Sequence, residues 1–106
     1  MRQASILVVE DDSLTLEAIA EVLQSVGYAC QTATSGKEAL NFIPWDKFDM
    51  ILSNLHMPGP NGLQLMSMVR NTAPDMPFII TSGYIQEHTY SQVFEAGADD
   101  FGDGPN

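Results

Sequence analysis

Three acidic side chains and one amide are the groups whose positions in this chain favour chemistry. Glu10, Asp11 and Asp12 follow directly after an aliphatic segment, and Asn54 ends a second apolar segment. Carboxylates, an amide oxygen and a backbone carbonyl together form an oxygen-rich site suited to a hard cation such as Mg²⁺. An aspartate at position 54 could attack a phosphoryl group and carry it as an acyl phosphate, whereas the neutral amide of asparagine is not a nucleophile.

The acidic triplet also has a purely structural explanation. Acidic residues after a strand cap the next helix, and Asp12 or Ser13 is well placed to do so. Motifs this short are common, so the triplet alone favours capping. A binding site requires the acids to meet Asn54. In a doubly wound sheet the ligand crevice opens at the carboxyl ends of adjacent strands, where these groups should converge.

Buried strands that alternate with helices position these groups. Continuous aliphatic runs bounded by charged residues, Pro or Gly are typical of strands buried on both faces. We expect strands near residues 5–10, 28–33, 49–53, 77–81 and 98–102. Their spacing of about 20 to 30 residues, with helices between them, predicts a parallel sheet covered by helices on both faces.

Apolar residues at helical spacing predict four helices. The first carries the stripe Leu16, Ile19, Leu23 and Val26, and Gly27 follows as its stop. The second begins near residue 35 with capping-box spacing. The third begins around residue 62, presents Leu63, Leu65, Met66 and Val69, and ends before Pro74. The fourth runs from about residue 86 to residue 96.

Composition indicates one domain over residues 1–106 and excludes several partners. The formal charge of -10 argues against nucleic acid or an anionic membrane as a direct partner. The single cysteine, Cys30, excludes an internal disulfide framework and fits a reducing cytosol. The apolar stretches are far shorter than a membrane span, and the first five residues lead into a strand rather than a signal peptide. We therefore expect a cytoplasmic location.

Four segments, in order and spanning the chain, resemble the receiver domain of two-component response regulators. They are residues 6–12 (ILVVEDD), 49–62 with its Met57-Pro58-Gly59 and Asn61-Gly62, 77–83 (PFIITSG), and 96–101 (AGADDF) followed by Pro105. The resemblance implies an α/β, flavodoxin-like fold with a doubly wound five-stranded parallel sheet in the order 2-1-3-4-5. It also implies that the domain acts in phosphorelay signalling with a histidine kinase or an output domain as protein partner.

The resemblance assigns roles to individual residues. Glu10, Asp11 and the backbone carbonyl of His56 match the positions that hold Mg²⁺, and Asn54 matches the phosphoacceptor aspartate. With one charged ligand missing, we expect this metal site to be weak. Ser82 and Phe101 match the hydroxyl and the aromatic side chain that move together on activation.

The chain departs from the family pattern in three ways. Asn54 replaces the phosphoacceptor, Gly104 stands where the family has a lysine before Pro105, and the final helix is missing, so the domain is truncated after its fifth strand. Losing the acceptor carboxylate removes the need for its cationic partner, so the first two departures are consistent with each other. We interpret the chain as a pseudo-receiver: a non-catalytic, phosphorylation-independent interaction module.

Two other interpretations remain open. Asn54 could be an engineered substitution in an ordinary phosphorylated receiver, although Gly104 favours natural loss. A metal-dependent hydrolase built on the acidic triplet lacks a well-placed base, a phosphate-stabilising Lys or Arg and a Gly-rich phosphate loop.

The missing helix should leave apolar surface uncovered near the first and last strands, and such surface generally finds a partner. We expect self-association, or docking of another segment, over that face. The alternative is that residues 102–106 begin a linker of a longer protein.

Overall fold

A computed structural model describes residues 3–81 and 100–102, the last three as backbone. Its strands are β1 (Ser5–Val9), β2 (Ala29–Ala33), β3 (Met50–Asn54), β4 (Phe78–Thr81) and β5 (Asp100–Gly102). Its α-helices are α1 (Ser13–Ser25), α2 (Gly36–Ala39) and α3 (Gly62–Thr72), with 3-10 turns at Leu40–Phe42 and Trp45–Lys47. The predicted fourth helix lies outside the described residues.

The strands form one parallel sheet in the order β2-β1-β3-β4-β5. The predicted fold class and strand order are therefore confirmed. β1 and β3 are neighbours, with Val9 opposite Ser53, so the residues that follow these strands emerge side by side. Parallel strands place all their carboxyl ends on one edge of the sheet, and that edge carries the candidate site.

Alternation along the strands divides the core between the two faces of the sheet. Leu7 and Val9 belong to a large cluster that also includes residues of α2 and α3. Ile6 and Val8 belong to a smaller cluster with Leu16 of α1. These four of the five β1 side chains are at most 2% exposed, which confirms that this part of the strand is buried on both faces.

The first helix follows its predicted stripe except at its end. Leu16 is buried, and Ile19 and Leu23 are half-buried against the same face of the sheet. Val26 was expected to extend the stripe, but the helix ends at Ser25 and Val26 is its C-cap, 67% exposed. Gly27 follows with φ of +105°, a left-handed conformation typical of glycine after a helix.

The second and third helices begin where the sequence predicts. Ser35 caps α2 by accepting the Glu38 N–H, but after Ala39 the chain tightens into a 3-10 turn, so the α-helix is shorter than expected. Asn61 caps α3 in a reciprocal capping box with Gln64, which fixes the start of α3 directly behind the end of β3.

The α1 side of the sheet is less covered than the other side. Met50 and Leu52 of β3 and Ile79 of β4 are half-buried, while the residues between them, on the opposite face, are buried. The half-buried surface thus lies over β3 and β4. The prediction that apolar surface would also be uncovered near β1 is wrong, because α1 covers β1. Within the described residues, no helix combines the length and apolar character needed to cross a membrane.

Self-association through these half-buried residues stays a prediction. Sedimentation velocity should show a weight-average sedimentation coefficient that rises with protein concentration. The rise should be steeper at high salt, because the formal charge of -10 makes copies repel one another. A single monomer boundary at all concentrations and salt levels would contradict the prediction.

Candidate functional site

The end of β1 and the end of β3 bring the predicted site residues together. The amide nitrogen of Asn54 lies 3.4 Å from Oδ1 of Asp11, although the two residues are 43 positions apart in the chain. Leu55 donates its backbone N–H to the carbonyl of Thr81 at 2.8 Å, which anchors the residue after Asn54 to β4. The predicted convergence of Asn54 with the acids is therefore present in the structure.

Three contacts determine how the Asn54 amide is oriented. Its nitrogen donates to Oδ1 of Asp11 and, at 3.1 Å, to the backbone carbonyl of His56. Its oxygen accepts the backbone N–H of His56 at 3.4 Å. The opposite orientation would place the amide oxygen against two acceptors and the amide nitrogen against a donor, so the hydrogen-bond network selects this one.

Glu10 is the buried carboxylate of the site. Its side chain is 6% exposed, and Oε1 accepts the backbone N–H of Asp12 at 3.2 Å. Burial raises the pKa of Glu10, because desolvation penalises the charged form, and the nearby Asp11 and Asp12 raise it further. The Asp12 hydrogen bond opposes this shift. Glu10 therefore holds its negative charge less readily than a solvated glutamate.

Asp12 serves as a helix cap. It accepts hydrogen bonds from the side chain and the backbone N–H of Thr15 in the first turn of α1. These bonds lower the pKa of Asp12, and the bond from the Thr15 side chain has the larger effect. The capping explanation of the acidic triplet is confirmed for this member. Thr15 was not predicted as a partner of Asp12, although a hydroxyl three residues after an N-cap aspartate is a recognisable signal.

The site has little positive charge available from the protein. The whole chain contains four Lys and Arg residues, and Arg70 is the last of them, so the segment that includes β4 and β5 contributes none. The Nζ atom of Lys47 lies 5.3 Å from the ring centroid of Phe42, and Arg70 donates to the carbonyl of Pro74. Among the described residues, the groups that contact these acids are hydrogen-bond donors: the Asn54 amide at Asp11 and the Asp12 N–H at Glu10.

The described residues do not fit a Mg²⁺ ion as they stand. Of the predicted ligands, Asp11 and the His56 carbonyl already accept hydrogen bonds from the Asn54 nitrogen. A cation cannot share that position with an N–H donor. Within residues 3–81 and 100–102, no three His, Cys, Asp or Glu side chains are arranged to hold a metal.

The loop and helix behind Asn54 hold its backbone. Gly62, the first residue of α3, donates its N–H to the Leu55 carbonyl at 3.0 Å. A Cβ atom at Gly62 would lie 2.5 Å from the carbonyl oxygen of Asn54 and 2.9 Å from Cα of Leu55. Gly62 was predicted as a helix start, and this close contact was not predicted.

The predicted switch residues fall largely outside the described residues. Phe101 lies on β5, where its backbone pairs with Ile80, and nothing further is described of it. Ser82 directly follows Thr81, the β4 residue opposite Asn54. Ser82 and Gly104 lie outside the described ranges, so the roles assigned to Ser82 and Phe101 stay predictions.

Known proteins resemble this chain in sequence over most of its length. The response regulator MprA of Mycolicibacterium vanbaalenii is 32% identical over 96 residues, which cover 91% of this chain and 42% of MprA. The sensor histidine kinase RcsC of Escherichia coli is 34% identical over 95 residues, which cover 89% of this chain and 10% of RcsC. The chain thus spans less than half the length of these relatives.

Solved structures and a family model agree with these relatives. The non-phosphorylated HemR receiver domain of Leptospira biflexa superposes with a TM-score of 0.89 at 30% identity, covering 98% of this chain and 84% of that one. TrrA of Thermotoga maritima, in complex with Mg²⁺ and BeF, gives 0.86 at 30% identity, covering 97% and 88%. A family model described as the response regulator receiver domain matches residues 6–102. The chain therefore belongs to the response regulator receiver domain family of two-component signalling.

Proposed function

We propose that this chain is a receiver domain that acts in phosphorelay signalling without carrying a phosphoryl group on residue 54. The observation that carries the proposal is the amide at the end of β3, hydrogen-bonded to Asp11 and to the His56 backbone. An amide side chain cannot form the acyl phosphate that a carboxylate forms. Signalling then depends on non-covalent contacts.

Such a module switches by differential binding. A partner that binds one of two conformations more tightly shifts the population toward that conformation, and no covalent step is required. Relatives of the chain include a response regulator and a sensor histidine kinase, so domains similar in sequence to this one occur in both classes of protein. We propose a histidine kinase or an output domain as the protein partner, in the cytoplasm, with no enzymatic activity and at most weak Mg²⁺ binding.

One observation bears on the alternative of an engineered Asn54 in an ordinary receiver. Gly104 stands at the position where the resemblance places a lysine, and the chain has no Lys or Arg after Arg70. A single designed change at residue 54 would leave that lysine in place. Loss of both the acceptor and its cationic partner favours natural divergence.

A phosphodonor experiment tests the proposal. The unmodified chain, Asn54→Asp, and Asn54→Asp combined with Gly104→Lys are each incubated with a small phosphodonor and Mg²⁺, and acid-labile phosphate on the protein is measured. We expect none on the unmodified chain and the most on the double variant, because lysine neutralises the transferred charge. Asn54→Asp combined with Asn106→Lys is the matched control for the added charge.

The outcomes separate the interpretations. Rapid labelling of Asn54→Asp alone would favour the engineered alternative. Labelling that requires Gly104→Lys as well, but not Asn106→Lys, would support natural loss. An acyl phosphate recovered on the unmodified chain would overturn the proposal, and release of inorganic phosphate by that chain would restore the hydrolase interpretation.

A further inference from the structure

We propose that the amide nitrogen of Asn54 takes the position of a divalent cation in this site, so that the amide excludes Mg²⁺ rather than binding it weakly. This inference deepens the proposed function and rests on it in one respect, since both place the loss of receiver chemistry at residue 54. It adds a physical role for the amide: the asparagine supplies a metal-free hydrogen-bond bridge between the loop after β1 and the loop after β3.

The position of the nitrogen is the first argument. A cation bound to both Oδ1 of Asp11 and the carbonyl oxygen of His56 would have to lie between these atoms, about 2.1 Å from each if it were Mg²⁺. The Asn54 nitrogen is the atom that bridges them, at 3.4 Å and 3.1 Å. Its N–H groups turn partial positive charge toward the same two oxygens that a cation would bind.

The rigidity of the amide is the second argument. To become a metal ligand, the amide would have to rotate so that its oxygen replaces its nitrogen. Rotation would bring the nitrogen against the N–H of His56, which now donates to the amide oxygen at 3.4 Å. The backbone of Asn54 cannot retreat easily, because Gly62 packs against its carbonyl with no room for even a Cβ atom. For its oxygen to become a metal ligand, the amide must therefore give up three hydrogen bonds.

The charges of the site are the third argument. Asp11 keeps a partner in the amide, and the buried Glu10 has one in the Asp12 N–H. An aspartate at position 54 would replace this donor with a third carboxylate and add like-charge repulsion that a bound cation relieves. The asparagine therefore stabilises a site that would otherwise require metal.

Truncation of the amide gives a test whose outcome depends on which role the amide has. If the amide excludes Mg²⁺, Asn54→Ala should bind Mg²⁺ more tightly than the unmodified chain, although it has one oxygen fewer. If the amide oxygen is a ligand, Asn54→Ala should bind more weakly. We expect the Mg²⁺ dissociation constant to fall in the order unmodified, Asn54→Ala, Asn54→Asp, with about a tenfold or larger change at the last step because a charged ligand is added.

Isothermal titration with MgCl₂ measures this order, and thermal unfolding with EDTA or MgCl₂ measures its effect on the fold. The unmodified chain should unfold at the same temperature in both solutions, while Asn54→Asp should unfold earlier in EDTA and recover in MgCl₂. Asn71→Ala, an exposed asparagine at the far end of α3, is the matched control and should behave as the unmodified chain.

Each outcome decides the inference. Tighter binding by Asn54→Ala than by the unmodified chain supports it. Equal or weaker binding, including no measurable binding by Asn54→Ala, overturns it. Failure of the proposed function is recognised separately, because it requires phosphate on the unmodified chain and does not depend on the order of Mg²⁺ affinities.

Discussion

Gly62→Ala should lower the free energy of unfolding by about 2 to 3 kcal/mol, the upper range for overpacking a tight contact. The added Cβ would lie 2.5 Å from the Asn54 oxygen, 2.9 Å from Leu55 Cα and 3.2 Å from the Asn54 carbonyl carbon. All three are backbone atoms, so no side chain can rotate away. Alanine favours helix by at most about 1 kcal/mol relative to glycine, which is too little to offset the overlap. Urea unfolding measures the change.

Gly59→Ala is the control for this substitution. A Cβ atom at Gly59 would meet Gln64 Oε1 at 3.7 Å, an ordinary van der Waals distance. The backbone of Gly59 also suits alanine, because among the described glycines the positive φ is found at Gly27. We expect Gly59→Ala to change the free energy of unfolding by less than about 1 kcal/mol. If Gly62→Ala were as mild as this control, α3 would not hold the Asn54 backbone, and the rigidity assigned to the amide would lose its support.

The sheet and the meeting of Asn54 with Asp11 could be predicted from the sequence. Aliphatic runs such as residues 6–9 are distinctive, and parallel strands leave no choice about which ends meet. The start of α2 could also be predicted, because Ser35 and Glu38 are three residues apart and Ser35 accepts the Glu38 N–H. Signals of this kind act over short distances or follow from topology.

The features that could not be predicted depend on tertiary distances. Sequence places an amide at residue 54, but its direction is set by where Asp11 Oδ1 and the His56 carbonyl lie. Helical spacing predicted Val26 as part of the stripe, but Val26 is the exposed C-cap of the helix, directly before the predicted stop at Gly27. The contact between Gly62 and the Asn54 carbonyl likewise depends on how closely α3 packs against β3. These distances decide whether the site holds a metal or a hydrogen bond.

Phe78→Ala should have the largest effect on stability, a loss of about 3 to 5 kcal/mol in the free energy of unfolding. Phe78 is fully buried on β4, in the main core cluster. Its backbone pairs with that of Ile51 on β3, three residues before Asn54. Domains of this kind are stable by about 5 to 15 kcal/mol, so the variant should approach the limit of folding. Urea unfolding again measures the loss.

Leu14→Ala and Phe78→Leu are the controls for this substitution. Leu14 is 75% exposed on α1, so its truncation should change stability by less than about 0.5 kcal/mol. Phe78→Leu keeps most of the buried volume and should recover much of the loss. A loss below about 1 kcal/mol for Phe78→Ala would mean that the strands relax around the cavity. In that case packing would not fix the end of β3, and the hydrogen bonds of Asn54 alone would have to position its amide.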